Sequence, residues 1–178
     1  MKKQILISTI IMVNLAFTVD SLAQTDSAVI TNINRIVEQI NKDTGFLIRT
    51  LESVQFPKQV TDGGHELTGY FKDGELVKMV EWVGLSSCVI EKEYFLQDNK
   101  LIFVRMEGKE FLYVDSLATF NSKIQNLTLQ GIFYFNEDKE IKKSIEGQTR
   151  CGGIPGSKSP LDLVAEADRY RKVLGELR

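Results

Sequence analysis

The residues with the richest chemistry lie in CGGIPGSKS, residues 151–159, where glycines, a lysine and a serine precede a helical pattern. A phosphate-binding loop requires G-x-x-x-x-G-K-[ST], because backbone N–H groups must wrap the phosphates and the lysine must reach them. Here three residues separate Gly152 from Gly156, and Ser157 separates Gly156 from Lys158. The spacing predicts a loop that ends in a helix cap, with a weak anion site at the helix N-terminus as the alternative.

Nucleophilic catalysis would have to use His65, which is the one histidine of the chain. Gly84-Leu85-Ser86-Ser87-Cys88 offers nucleophiles but not the second glycine of a nucleophile elbow. His65 follows Gly63-Gly64, so we interpret it as a surface residue on a loop that enters the first strand of a sheet. One histidine and two cysteines also fall short of the usual zinc ligand sets. No catalytic residue, metal site or cofactor is predicted.

Carboxylates are the remaining catalytic candidates, because paired acids hydrolyse glycosidic bonds. Glu66, Glu81, Glu91 and Glu93 lie on predicted strands. Alternating charges are typical of the solvated face of a sheet, so we place these residues there. A hydrolase that uses acidic residues remains an alternative function.

Aromatic side chains could instead form a binding surface. Residues of this type in strands more often make cross-strand pairs and core contacts. If only one face of the sheet is covered, some of them must face outward. The candidates for such an aromatic surface are Tyr70, Trp82, Tyr94 and Tyr134.

The two cysteines, Cys88 and Cys151, lie near the ends of predicted strands. An even cysteine count in an exported protein permits a disulfide. If the strands concerned are neighbours, the two residues meet at one edge of the sheet. We therefore predict a Cys88–Cys151 disulfide, with two separate thiols as the alternative.

The strands that position these residues are predicted from a repeated phrase of two aromatics, a polar turn and an aliphatic residue. The phrase begins at Tyr70-Phe71, Tyr94-Phe95 and Tyr134-Phe135. Asp-led turns between alternating apolar residues are typical of β-hairpins, and the three turns are read from Asp73, Asp98 and Asp138. We expect each phrase to occupy the incoming strand of a hairpin.

Tight two-residue turns also predict the register of the first two hairpins. In the first, Phe71 should lie opposite Leu76 and Tyr70 opposite Val77. In the second, Leu96 should lie opposite Leu101 and Phe95 opposite Ile102. A further strand from Glu110 to Val114 is expected after Gly108-Lys109, whereas residues 115–126 give no clear pattern and could hold a short helix or an irregular crossing.

Helical patterns flank the strands. Apolar residues at helical spacing predict helix over 26–53, with Thr44-Gly45 ending or bending it. Ser159 and Pro160 suit the N-cap and first turn of a C-terminal helix, whose apolar face is Leu163, Ala167, Tyr170, Leu174 and Leu177. The predicted fold is α+β: a single antiparallel sheet of about six or seven hairpin-built strands, packed against N-terminal and C-terminal helices.

The first residues carry the pattern of a secretory signal peptide: Lys2-Lys3, an apolar run of residues 5–19, and small residues around Ser21-Leu22-Ala23. A membrane anchor is the alternative, although the run is short for a bilayer span. Residues 1–23 are therefore assigned as the signal peptide and residues 24–178 as a single α+β domain, periplasmic or secreted. The net charge of −2 indicates neither a nucleic-acid surface nor a polybasic membrane patch, and no membrane insertion is expected after signal removal.

The YF-x-DGEL phrase in this exported context resembles small exported proteins of unknown function from Bacteroidetes. It is also similar to MORN-like repeats and to PepSY-like, β-lactamase-inhibitor-like exported domains, over roughly residues 66–146. The 24- and 40-residue spacing of the phrases departs from strict MORN repeats. The resemblance implies a non-enzymatic envelope module with no carried-over catalytic residues. We expect a periplasmic or secreted binding or inhibitor-like module whose partner is a protein or glycan of the envelope, with a structural or assembly role as a further alternative.

Overall fold

The computed structural model describes residues 26–52, 61–151 and 160–176 of the chain. The chain divides into two compact units, Met1–Ile36 and Val37–Arg178, and the sheet and the C-terminal helix belong to the second. The predicted signal peptide lies outside the described residues. Among those that are described, no helix combines the length and apolar character that a bilayer crossing demands.

Seven antiparallel strands form one sheet in sequence order. The strands are β1 Leu47–Glu52, β2 His65–Lys72, β3 Glu75–Gly84, β4 Cys88–Gln97, β5 Lys100–Val114, β6 Thr119–Asn136 and β7 Lys139–Gly147. Helix α1 spans 26–42, a 3₁₀ helix, Asp115–Leu117, joins β5 to β6, and helix α2 spans Pro160–Glu176. The predicted α+β class, with one antiparallel sheet and two helices, is confirmed.

The three Tyr-Phe phrases lie on β2, β4 and β6, each the incoming strand of a hairpin, as predicted. The central turn residues have positive φ in Asp73-Gly74, Asp98-Asn99 and Glu137-Asp138. This conformation suits the tight turns whose twist matches that of the flanking strands. The third turn therefore begins one residue earlier than predicted, at Glu137 instead of Asp138.

A β-bulge follows each of the three turns and changes the predicted register. Phe71 lies opposite Leu76 as predicted, but Tyr70 lies opposite Lys78 and not Val77. The second and third hairpins have the same irregularity, so that Phe95 lies opposite Phe103 instead of Ile102. A bulge inserts one residue into one strand and increases the local twist.

The second phrase lies one residue farther from its turn than the other two. Because side chains alternate between the faces of a strand, Tyr94 lies on the opposite face of the sheet from Tyr70 and Tyr134. The repeat is therefore equivalent in topology but not in the orientation of its aromatic residues.

Two further predictions need correction, and one segment whose structure was left open can now be described. Residues 47–52, predicted as helix, form strand β1, which pairs with β2 along its whole length. The strand expected from Glu110 is not a separate strand but the continuation of β5. The pairing of β5 with β6 shifts at a bulge between Gly108 and Lys109. Residues 115–126, which gave no clear pattern, contain the 3₁₀ helix and the first part of β6.

Helix α2 lies against one face of the sheet, as its apolar spacing predicted. Leu163, Ala167, Tyr170 and Leu174 are buried in the main hydrophobic core, whereas Ser159 and Leu177 lie outside the described residues. Gly69 on β2 permits the close approach, since a Cβ there would lie 2.9 Å from Cδ1 of Leu174.

Candidate functional site

The sheet face opposite α2 carries a row of aromatic side chains that crosses several strands. Ring centroids of Phe95 and Phe103 lie 5.6 Å apart, and those of Phe103 and Tyr134 lie 5.1 Å apart. Lys78 Nζ lies 4.9 Å from the centroid of Phe95. Phe95 and Phe103 are both buried, so the centre of this row is core and not an open groove.

The four residues predicted to form an aromatic surface do not come together. Tyr70 and Tyr134 lie on the face opposite α2, half-buried and separated by Phe95 and Phe103. Trp82 lies on the same face as Tyr70 and Tyr134, but its cross-strand neighbours are Glu66 and Glu91, so it lies away from that row. Tyr94 is fully buried on the α2 face.

A buried polar network occupies the space between the sheet and α2. The sheet contributes a histidine, a glutamate, a lysine and a tyrosine, and α2 contributes a glutamate and a tyrosine. The members are His65 on β2, Glu81 on β3, Lys92 and Tyr94 on β4, and Glu166 and Tyr170 on α2. The predicted surface position of His65 is wrong, because its side chain is only 1% exposed. Glu81, predicted on the solvated face, is likewise buried.

Every oxygen of the two carboxylates in this network has partners. On Glu81, Oε1 lies 3.0 Å from His65 Nε2 and accepts from the Tyr170 hydroxyl. Its Oε2 lies 3.0 Å from Lys92 Nζ. On Glu166, Oε2 accepts from Lys92 Nζ at 2.8 Å and from the Tyr94 hydroxyl at 2.7 Å, while Oε1 lies 3.3 Å from the Tyr170 hydroxyl. Burying a charge is tolerable only with such complete pairing.

The network holds the Glu81 carboxylate ionised and the phenols of Tyr94 and Tyr170 neutral. Burial acts to raise the pKa of Glu81, but the His65 hydrogen bond, the Lys92 charge and the Tyr170 hydrogen bond outweigh it and lower that pKa to about 2. Burial, with the nearby charges of Glu81 and Glu166, raises the pKa of Tyr94 and of Tyr170 well above its usual value. Both tyrosines therefore remain hydrogen-bond donors at neutral pH.

The chemical role that suits this network is to fix α2 on the sheet. Glu166 and Tyr170 are four residues apart and so share one face of the helix; Glu166 accepts from Lys92 and Tyr94 on β4, and Tyr170 donates to Glu81 on β3. Their polar atoms are already occupied and buried. In the described part of the chain, no group of three or more His, Cys, Asp and Glu side chains has a geometry that could hold a metal ion.

Sequence reasoning missed this network, although a signal was present. Glu81 lies on the same face of its strand as the apolar residues Met79 and Val83, and Lys92 lies on the same face of its strand as Ile90 and Tyr94. Glu166 lies near Leu163 and Tyr170 on the apolar stripe of α2. Charged residues of opposite sign at core positions of three elements indicate mutual pairing, because unpaired charges are almost never fully buried.

A second candidate site is the part of the β5–β6 hairpin that extends past its neighbours. The last pair between β4 and β5 is Cys88 with Glu110, and that between β6 and β7 is Leu129 with Gly147. Beyond these points β5 and β6 pair only with each other within the described sheet. We call residues 111–127 the arm.

The arm concentrates exposed apolar side chains. Tyr113 and Phe120 face each other across the two strands with centroids 5.1 Å apart, and Leu117 near the tip is 70% exposed. The large exposed apolar residues of the arm are Leu112, Tyr113, Leu117, Phe120, Ile124 and Leu127; elsewhere in the described residues they are Leu47, Ile48 and Ile145. Clustered exposure of this kind marks interaction sites.

A cavity of about 450 Å³ opens at the base of the arm. Phe111, Leu112, Tyr113 and Phe120 provide apolar walls. Polar groups on the lining come from Ser87, Glu110, Asp115, Asn126, Thr128 and Arg150. This combination of apolar walls and a few polar groups is typical of ligand sites in proteins.

The predicted disulfide is present and lies beside this cavity. Cys88 and Cys151 are bonded, with Cα atoms 6.3 Å apart. Each cysteine follows a residue that lines the cavity, Ser87 in one case and Arg150 in the other. The Arg150 backbone N–H donates to Glu110 Oε1 at 2.6 Å, and Phe111 N–H donates to Ser87 O at 2.8 Å. The disulfide and these hydrogen bonds hold together three parts of the cavity lining, at Ser87, Glu110 and Arg150.

Comparison with known proteins finds no family model, curated protein or solved structure that matches this chain. Function is therefore inferred from the geometry of the molecule itself.

Proposed function

We propose that the protein is a non-enzymatic binding module, exported to the periplasm or beyond the cell, which recognises a component of the cell envelope with the arm and the cavity at its base. The observation that carries this proposal is the clustering of exposed apolar side chains on the arm. Outward-facing apolar groups cost solubility and are kept where a partner covers them. The signal peptide pattern supports the compartment.

The alternative of an acid-dependent hydrolase receives less support. Such an enzyme places two carboxylates on either side of a substrate cleft. Two of the glutamates that lie together, Glu81 and Glu166, are buried beneath α2 and already accept hydrogen bonds from Lys92, Tyr94 and Tyr170. A substrate would have to displace the helix to reach them.

Co-sedimentation of the purified protein with washed envelope fragments tests the proposal. The double variant Leu117→Ser/Phe120→Ser removes two exposed apolar side chains of the arm, and we expect it to bind roughly tenfold or more weakly, as for central contacts of an interface. The matched control is Ile145→Ser on β7, which is also exposed but lies off the arm. Equal binding by the wild type and the arm variant, both folded, would contradict the proposal.

A further inference from the structure

We propose that the cavity at the base of the arm binds a saccharide chain of the cell envelope. This inference rests on the proposed binding function and adds the chemical class of the ligand. Saccharides present apolar C–H faces and hydroxyl-rich edges on the same ring. A site for them therefore needs aromatic surface beside mixed hydrogen-bond donors and acceptors.

The apolar walls supply the aromatic surface. Tyr113 and Phe120 remain about two-fifths to one-half exposed at the mouth of the cavity. Their edge-to-face contact leaves ring surface available to a ligand. Aromatic rings bring a large apolar contact area, and the tyrosine adds a polar hydroxyl at its tip. The cavity volume falls within the range of about 300–1,000 Å³ that is usual for small-ligand sites.

The polar lining provides both halves of a hydroxyl hydrogen bond. Asp115 and Glu110 bring carboxylate acceptors, Arg150 brings donors, and the Asn126 side-chain amide brings both. A sugar hydroxyl is itself a donor and an acceptor, so neighbouring hydroxyls can be bound by this combination. Charged partners also give stronger hydrogen bonds than neutral ones.

The charge of the lining favours a neutral ligand. Arg150 Nε lies 3.4 Å from Glu110 Oε2, so the guanidinium is already paired with a carboxylate. The remaining charged group on the lining is Asp115. A phosphate-bearing ligand would meet more acidic than basic charge here, whereas a neutral polyol has no such conflict.

The site is also held in shape before a ligand arrives. Cys88 and Cys151 directly follow the lining residues Ser87 and Arg150, so their disulfide holds these two lining residues near each other. The hydrogen bond from the Arg150 backbone N–H to Glu110 Oε1 fixes a third lining residue, Glu110, beside them. A preorganised site loses less conformational freedom on binding, which favours affinity for a small ligand.

Calorimetric titration with short neutral oligosaccharides built from hexose units that carry vicinal diols tests the inference. We expect the wild type to bind at least one of them. Asn126→Ala, which removes one amide from the lining, and Phe120→Ala, which removes one aromatic wall, should each weaken binding roughly tenfold. Ile145→Ala serves as the matched control and should bind as the wild type does. Binding that is indifferent to both cavity variants would overturn the site.

Treatment of envelope fragments separates this inference from the proposed function. Periodate, which cleaves vicinal diols of sugars, should abolish co-sedimentation, whereas protease treatment should leave it intact. If protease abolishes binding, periodate does not, and the arm variant still binds weakly, the ligand is a protein: the saccharide inference fails while the binding function stands. If the untreated fragments do not bind the wild type, both fail.

Discussion

Glu81 joins four other members of the buried network through its two carboxylate oxygens. Its lowered pKa makes a prediction about acid stability. A carboxyl group whose folded-state pKa is depressed contributes stability above its unfolded pKa, 4.5 here, and that stability is lost as pH falls through the folded value of about 2. The shift corresponds to about 3 kcal/mol.

We therefore expect the free energy of unfolding of the wild type to decline between about pH 5 and pH 2, and the Glu81→Gln variant to show less of this decline. Urea unfolding at several pH values in this window measures both. Glu75→Gln, in the exposed β2–β3 turn region, is the matched control and should keep the wild-type slope. An unchanged slope in Glu81→Gln would show that its carboxyl group does not carry the acid sensitivity.

Lys92 is the shared cation between Glu81 and Glu166, and its removal should be costly. Lys92→Met leaves Glu81 and Glu166 buried without the lysine they share, although Arg169 Nη2 still lies 3.7 Å from Glu166 Oε1, and we expect a loss of about 3–5 kcal/mol in unfolding free energy. Lys100→Met, which breaks an ion pair between half-exposed side chains of Lys100 and Asp138, should cost at most about 1 kcal/mol.

A double variant, Lys92→Met with Glu166→Gln, distinguishes charge from packing. If an unbalanced charge causes the loss, removing one carboxylate charge should restore part of the stability. Additive losses in the double variant would instead indicate that the lysine acts through packing alone.

At the scale of secondary-structure elements, the three hairpin turns use the same backbone conformation with different residues. Gly74 has φ +87° and nothing within 4 Å of the position a Cβ would take. Gly74→Ala should therefore cost about 1 kcal/mol through backbone conformation alone. In the third turn Glu137 has φ +49°, and Glu137→Asn should stabilise by a few tenths of a kcal/mol, because asparagine tolerates this region better.

Thermal unfolding monitored by circular dichroism can detect both changes, which are predicted to have opposite signs. A stabilised Gly74→Ala variant would contradict the assigned turn conformation. Lys139→Asn, next to Glu137-Asp138 but on strand β7, is the control that should not gain stability.

The elements were largely predictable where local chemistry determines them. Turn residues with tolerance for positive φ and the apolar stripe of α2 are local signals, and the hairpins and α2 follow from them. The wrong predictions concern segments whose conformation is set by pairing with other strands. Residues 47–52 carry an apolar pattern that suits a helix, but pairing with β2 makes them a strand.

The bulges, the continuation of β5 and the burial of His65 also depend on tertiary context. The glycines before His65 suggested an exposed loop, whereas the Gly63 N–H donates to Gly84 O and the Gly84 N–H donates to Gly64 O, so the segment joins the sheet and His65 is buried beneath α2. The arm could not be recognised from sequence, because its exposed apolar residues look like those of a core strand until the ends of β4 and β7 are known.

At the scale of the whole molecule, the disulfide ties β4 to the segment that leads to α2. It spans 63 residues of sequence, and a chain-entropy estimate for such a loop gives roughly 4 kcal/mol. We expect the Cys88→Ala/Cys151→Ala variant to lose a large part of that amount in urea unfolding. Alkylation of the exported protein without reductant checks the bond, since two alkylated cysteines would contradict it.

The buried network fixes the sheet to α2, and the arm is the part of the molecule that we propose binds a partner. Hydrogen–deuterium exchange with and without washed envelope fragments tests this assignment most directly. We predict that binding slows exchange in peptides covering the arm, residues 111–127, and the cavity wall at Arg150, while peptides from β1 and β7 exchange as before. Slowed exchange confined to the edge strands β1 or β7, with the arm unaffected, would contradict the account.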